Sequence, residues 1–168
     1  MRMRGAHGDQ QVSKLEIPEV SPEEAQQLAV ITWGQMYDAS FRALAERLGQ
    51  NEALEIMRPY LEKVGEPAPI FAQMKGIEGN DARTIASLFC LYEEKVLNVE
   101  GEVTESSPER VVKQSTKCPF QDMSSGFCWA FTSIAEGMAR AINPEYKVSV
   151  TRMMTEGDSL CEWVVEKK

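Results

Sequence analysis

The residues best suited to chemistry in this chain are its four cysteines, Cys90, Cys118, Cys128 and Cys161. Cys118 stands in an irregular stretch just before Pro119 and Phe120. Cys128 falls in the first turn of an expected helix starting near Gly126, where free backbone amides and the helix dipole lower a thiol pKa. Cys161 begins the last expected strand and shares a face with Trp163 and Val165, because alternate residues of a strand point the same way. Three chemistries are open to these thiols. They can be packed as small hydrophobes. Cys118 or Cys128 can be a reactive thiolate, either a nucleophile or half of a redox pair. Or Cys118, Cys128 and Cys161 can hold a soft metal such as zinc, with a carboxylate or water as fourth ligand. Spacing does not choose among them: nine residues separate Cys118 from Cys128, and no pair forms a CxxC. Cys90, among apolar helix neighbours, reads as a buried hydrophobe.

Carboxylates and aromatics surround these thiols in sequence. Glu102 and Glu105 in one expected hairpin, and Glu156 and Asp158 in the turn of another, can polarise water, move a proton or orient a ligand. Phe120, Phe127, Trp129 and Trp163 either line an apolar pocket or fill the core. The single histidine, His7, lies in a polar N-terminal leader. A Ser-His-Asp or Cys-His nucleophilic system, or a His-rich metal site, therefore has no core imidazole to use.

Elements that position these side chains follow from the rest of the sequence. The 168 residues carry 18 Lys+Arg against 26 Asp+Glu, a net charge of −8, and 43% are hydrophobic. A packed core is affordable at this composition, and the acidic balance argues against nucleic acid or an anionic membrane surface as a partner. No run approaches the roughly 18 apolar residues of a membrane span, and the N-terminus has no apolar signal region. Residues 1–20 read as a disordered leader, the cysteines as reduced thiols, and the compartment as cytoplasmic.

Ser21-Pro22-Glu23-Glu24 predicts a capped helix start, and the helix runs to about Leu48 with Gly49 as its stop. Trp33, Tyr37, Phe41, Leu44 and Leu48 form its apolar stripe. A second helix capped by Asn51 ends at Gly65, with Pro59 expected to kink or break it. A short helical piece covers 70–75, and Asp81 caps a fourth helix carrying Ile85, Leu88, Phe89, Tyr92 and Val96. From Asn98 the period changes to two, giving strands near 99–105 and 110–115, a helix over 126–142, and strands near 148–153 and 160–166. The expected class is α+β: N-terminal helices packed on an antiparallel sheet built by a β-hairpin–helix–β-hairpin unit. Residues 21–168 read as a single domain, with a helical half over 21–97 and a ββαββ half over 98–168. The exposed hairpin edge suits a homodimer.

Particular strings carry a resemblance. Lys117-Cys118-Pro119-Phe120, then Cys128 in a helix ending Ile142-Asn143-Pro144, then Glu156-Gly157-Asp158-Ser159-Leu160-Cys161-Glu162-Trp163, together with Leu48-Gly49 and Asn51-Glu52-Ala53-Leu54, resemble the L-2-amino-thiazoline-4-carboxylic acid hydrolase-like family. The C-terminal half is also similar to the vinyl-reductase-like (4-vinyl reductase) small-molecule-binding domain. Members of that family often carry a further Cys four residues before the terminal Gly-Asp, where this chain has Met153. The first resemblance implies a hydrolase that opens a small cyclic amidine of thiazoline type, using a thiolate (Cys118 or Cys128) or a Cys-held zinc. Asp158 or Glu102 would handle protons, and Phe120, Trp129, Trp163 and Glu105 would contact the ligand. The second implies a binding module without turnover, in which the cysteines are a structural or vestigial metal site.

Overall fold

A computed structural model describes residues 18–168. His7 and the leader up to residue 17 lie outside the described residues. The expected class is met: four helices precede a four-stranded antiparallel sheet, and a fifth helix separates its two hairpins.

Helix α1, Pro22–Leu48, starts as its sequence requires. The Ser21 side chain accepts from the Glu24 amide, and Glu24 reaches back to the Ser21 amide. Its buried line is Val30, Gly34, Asp38 and Phe41. That line is offset from the stripe read in the sequence: Phe41 is buried, whereas Trp33 and Leu48 are largely exposed. Helix α2 spans Gln50–Gly65 and begins after Gly49, without a side-chain cap from Asn51. It continues through Pro59, whose exposed position leaves the carbonyl freed by the missing N–H to solvent. Helix α3, Ala68–Met74, is a short connector, and α4 is Ala82–Lys95, capped by Asp81.

The strands are β1 Glu100–Ser106, β2 Arg110–Lys117, β3 Tyr146–Arg152 and β4 Cys161–Lys167. Helix α5, Ser125–Ile142, connects β2 to β3. Strand order is β1-β2-β4-β3, so the two hairpins meet along β2 and β4. Helices α4 and α5 cover one face, and the main core lies between them and the sheet, with Ile85, Leu88, Val111, Met138, Val148 and Val165 buried in it. Helix α2 packs directly on α5. Their backbones come so close that a Cβ on Gly137 would lie 2.1 Å from the Glu62 carbonyl oxygen, and one on Gly65 would lie 2.3 Å from that of Ile134. Only glycine permits that approach.

Candidate functional site

The local sequence of four elements and one loop delivers the site. On α4, Phe89 and Glu93 are four residues apart and share the face turned to the sheet. On β2, Lys113 and Ser115 alternate inward, and β4 opposes them in register as Trp163 and Cys161. On α5, Phe127, Cys128 and Phe131 project from the first turns toward the same space. The loop between β2 and α5 closes it with Cys118 and Phe120.

Two anchors hold that loop. Ser124 caps α5 by accepting from the Phe127 amide at 3.2 Å. Its own amide donates to Asp38 of α1 at 3.2 Å, and its hydroxyl bonds the same carboxylate. Phe120 lies against α1 at Gly34, where a Cβ would stand 2.7 Å from its ring.

A cavity of about 90 Å³ lies between these elements. Its walls are aromatic and aliphatic. Phe120 and Phe127 are tilted at a ring separation of 5.3 Å, Phe127 and Phe131 stack at 6.2 Å, and Phe89 meets Trp163 at 4.9 Å. Met153, Val148 and Val150 complete the apolar lining.

All three cysteines of the C-terminal half border this one cavity. The thiols are poorly suited to ionise. Burial pushes Cys118 up to about 12, against a hydrogen bond from the Phe120 amide. Burial likewise pushes Cys128 up to about 11. This corrects the expectation that the start of α5 lowers the Cys128 thiol: removal of water from the sulfur outweighs the helix terminus. Cys161 is also raised by burial, and it accepts from the Met154 amide at 3.3 Å. Among the described residues, no group of three or more His, Cys, Asp or Glu side chains is arranged to hold a metal ion. The three sulfurs face a common space without forming a zinc set.

Of the other residues read from the sequence, Phe120 and Trp163 line the cavity. Trp129 does not; its Nε1 donates to Glu156 at 2.7 Å on the outer side of α5. Glu102 and Glu105 stand on β1, whose seven residues are all exposed, and Glu105 pairs with Arg110. Asp158 is exposed and accepts from the Met153 amide at 2.7 Å, which shapes the turn before β4.

A polar group at the cavity floor escaped the sequence reading. Lys113 is 0% exposed, and its Nζ lies 3.1 Å from Glu93 and 3.1 Å from Glu94. The Trp163 Nε1 donates to Glu93 at 3.0 Å. Burial raises the Glu93 pKa even though Lys113 and Trp163 oppose it. Burial, the largest single influence, lowers the Lys113 ammonium, but Glu93, Cys90 and Glu94 together raise it and the net direction is up. A signal for both was present. Glu93 interrupts the apolar face set by Ile85 and Phe89, and Lys113 occupies an inward position between Val111 and Ser115.

No family model and no curated protein matches the chain. Solved structures do. One is a trafficking protein particle complex subunit 3 from Naegleria fowleri, covalently bound to palmitic acid, with TM-score 0.59, 13% identity, and coverage of 87% of this chain and 96% of that one. Another is the phenol-responsive sensory domain of the transcription activator PoxR with phenol, with TM-score 0.56, 15% identity, and coverage of 82% and 74%. At such identities the likeness is one of fold. The amino-thiazoline hydrolase reading finds no match among these comparisons.

Proposed function

We propose that this protein is a binding module for a small apolar molecule, held in the cavity between α4, α5 and the β2–β4 strands. The observation that carries the reading is the cavity itself: an aromatic and aliphatic lining around a few buried polar groups, the usual make-up of a small-molecule site. Phe120, Phe127, Phe131 and Trp163 supply the contact area. Cys118, Cys128 and Cys161 act there as neutral, polarizable thiols that tolerate apolar neighbours. The fold is shared with proteins solved with palmitic acid and with phenol, which supports an apolar or aromatic occupant. Hydrolysis of a cyclic amidine is the weaker reading. Thiols raised to about 12 and 11 stay protonated at neutral pH, and a thiol is a far poorer nucleophile than a thiolate.

Calorimetric titration with toluene, p-cresol and decanoate tests the proposal. Saturable binding of at least one probe is expected. It should be lost in a cavity-filling Cys128→Leu variant whose circular dichroism matches the wild type. Absence of binding by all three, or binding unchanged in Cys128→Leu, overturns the reading.

A further inference from the structure

The floor of the cavity is polar in a specific way. Both the Lys113 ammonium and the Trp163 indole contact Glu93 through the same carboxylate oxygen, Oε2. Glu93 borders the cavity, and its other oxygen, Oε1, takes part in neither contact. On the next inward position of β2, the Ser115 hydroxyl is buried without a hydrogen-bond partner among the described residues, in a residue only 1% exposed, and it borders the same cavity. A buried hydroxyl without a partner is unfavourable, and such groups in native proteins are normally satisfied. The cavity therefore presents an acceptor that can take one more hydrogen bond and a hydroxyl that lacks any.

From this juxtaposition we infer that the ligand ends in a hydroxyl, an apolar alcohol or phenol whose O–H donates to Glu93 and whose oxygen accepts from Ser115. The inference rests on the cavity being a binding site and names the class of molecule it takes. A hydroxyl is both donor and acceptor, so one small group satisfies both positions. A carboxylate would bring a further negative charge beside Glu93, which already shares Lys113 with Glu94. An ammonium could donate to both Glu93 and the Ser115 oxygen, but it has no lone pair and would leave the Ser115 O–H proton without an acceptor. A hydrocarbon would leave both polar groups unpaired. The raised pKa of Glu93 is consistent with a floor that disfavours further negative charge.

Three probes of nearly equal shape separate these cases: p-cresol, p-toluate and toluene, titrated calorimetrically into wild type, Ser115→Ala and Glu93→Gln. The expected result is p-cresol bound at least about tenfold tighter than either of the others. Ser115→Ala removes the unpaired hydroxyl and leaves the Glu93–Lys113 contact intact, so it should fold even if Glu93→Gln does not. In Ser115→Ala the p-cresol advantage over toluene should fall several-fold while toluene affinity holds. Equal binding of p-cresol and toluene, or a preference for p-toluate, overturns the inference and leaves the binding module standing. A p-cresol preference that persists unchanged in Ser115→Ala also overturns it. Failure of all three probes overturns this inference, and the binding module falls with it if decanoate also fails to bind.

Discussion

The edge strand β1 and the central strands β2 and β4 all carry charged residues, yet they put them to opposite uses. Every residue of β1 is exposed, and its carboxylates face solvent or pair at the surface, as Glu100 does with Lys117 and Glu105 with Arg110. On β2, Lys113 is sealed against Glu93 of α4, and on β4 the neighbouring Trp163 completes the group. The same ion-pair chemistry thus costs little to break at one site and a great deal at the other. Water screens a surface pair, whereas a buried charge that loses its partner has no solvent to replace it.

Four experiments sharpen or break this contrast. Lys113→Met should cost about 3–5 kcal/mol of stability by urea unfolding, because it strands the Glu93 carboxylate in the core. Lys117→Met on the same strand, at its exposed end, should cost under about 1 kcal/mol. Equal losses would erase the distinction between the two regions. Trp163→Phe keeps most of the packing on Phe89 and removes the hydrogen bond to Glu93, so a loss of about 1.5–3 kcal/mol is expected.

Alkaline pH probes the cavity thiols. Cys118 and Cys128 ionise near 9 ordinarily but at about 12 and about 11 in the folded protein. A raised folded value means the unfolded chain releases protons that the native state keeps. Their stabilising contribution is full below pH 9 and is lost as pH rises through 11 and 12, by at most ~1.4 kcal/mol per pH unit for each thiol. Urea midpoints measured from pH 8 to 10.5 should fall more steeply for wild type than for Cys118→Ala. Parallel slopes would mean that Cys118 is open to water. The smallest effect belongs to β1: Glu102→Gln and Glu105→Gln should each change stability by no more than about 0.5 kcal/mol and leave probe binding in the cavity unaltered.

Much of the architecture was legible in the chain. The Ser21 capping box, the Asp81 cap and the change from helical to alternating period at Asn98 are local signals, and the structure carries each of them. The α1 stripe was read in part: Tyr37, Phe41 and Leu44 pack on the core. Trp33 and Leu48 are apolar but are left largely outside, while Gly34 and Asp38 are taken inside to meet Phe120 and Ser124. Of the candidate site, the aromatics Phe120 and Trp163 and the gathering of Cys118, Cys128 and Cys161 could be read from residue type and strand alternation. The carboxylates could not. Glu102 and Asp158 stand out in the chain and Glu93 does not, because the one local signal for Glu93, its place on the apolar face of Ile85 and Phe89, does not say what that face packs against.

What the sequence determined by itself was the set of elements: where helices start, where strands alternate, and which face of each is apolar. Those properties depend on neighbours within a few positions, so the chain encodes them directly. The tertiary structure alone decided which elements became neighbours. The order β1-β2-β4-β3 places Ser115 opposite Cys161 and Lys113 opposite Trp163, and α4 then lowers Glu93 onto that pair. Burial at that meeting point, rather than residue type, keeps the thiols protonated and makes the Glu93–Lys113 pair costly to break. Desolvation is a property of the whole packed assembly, and no stretch of sequence carries it alone.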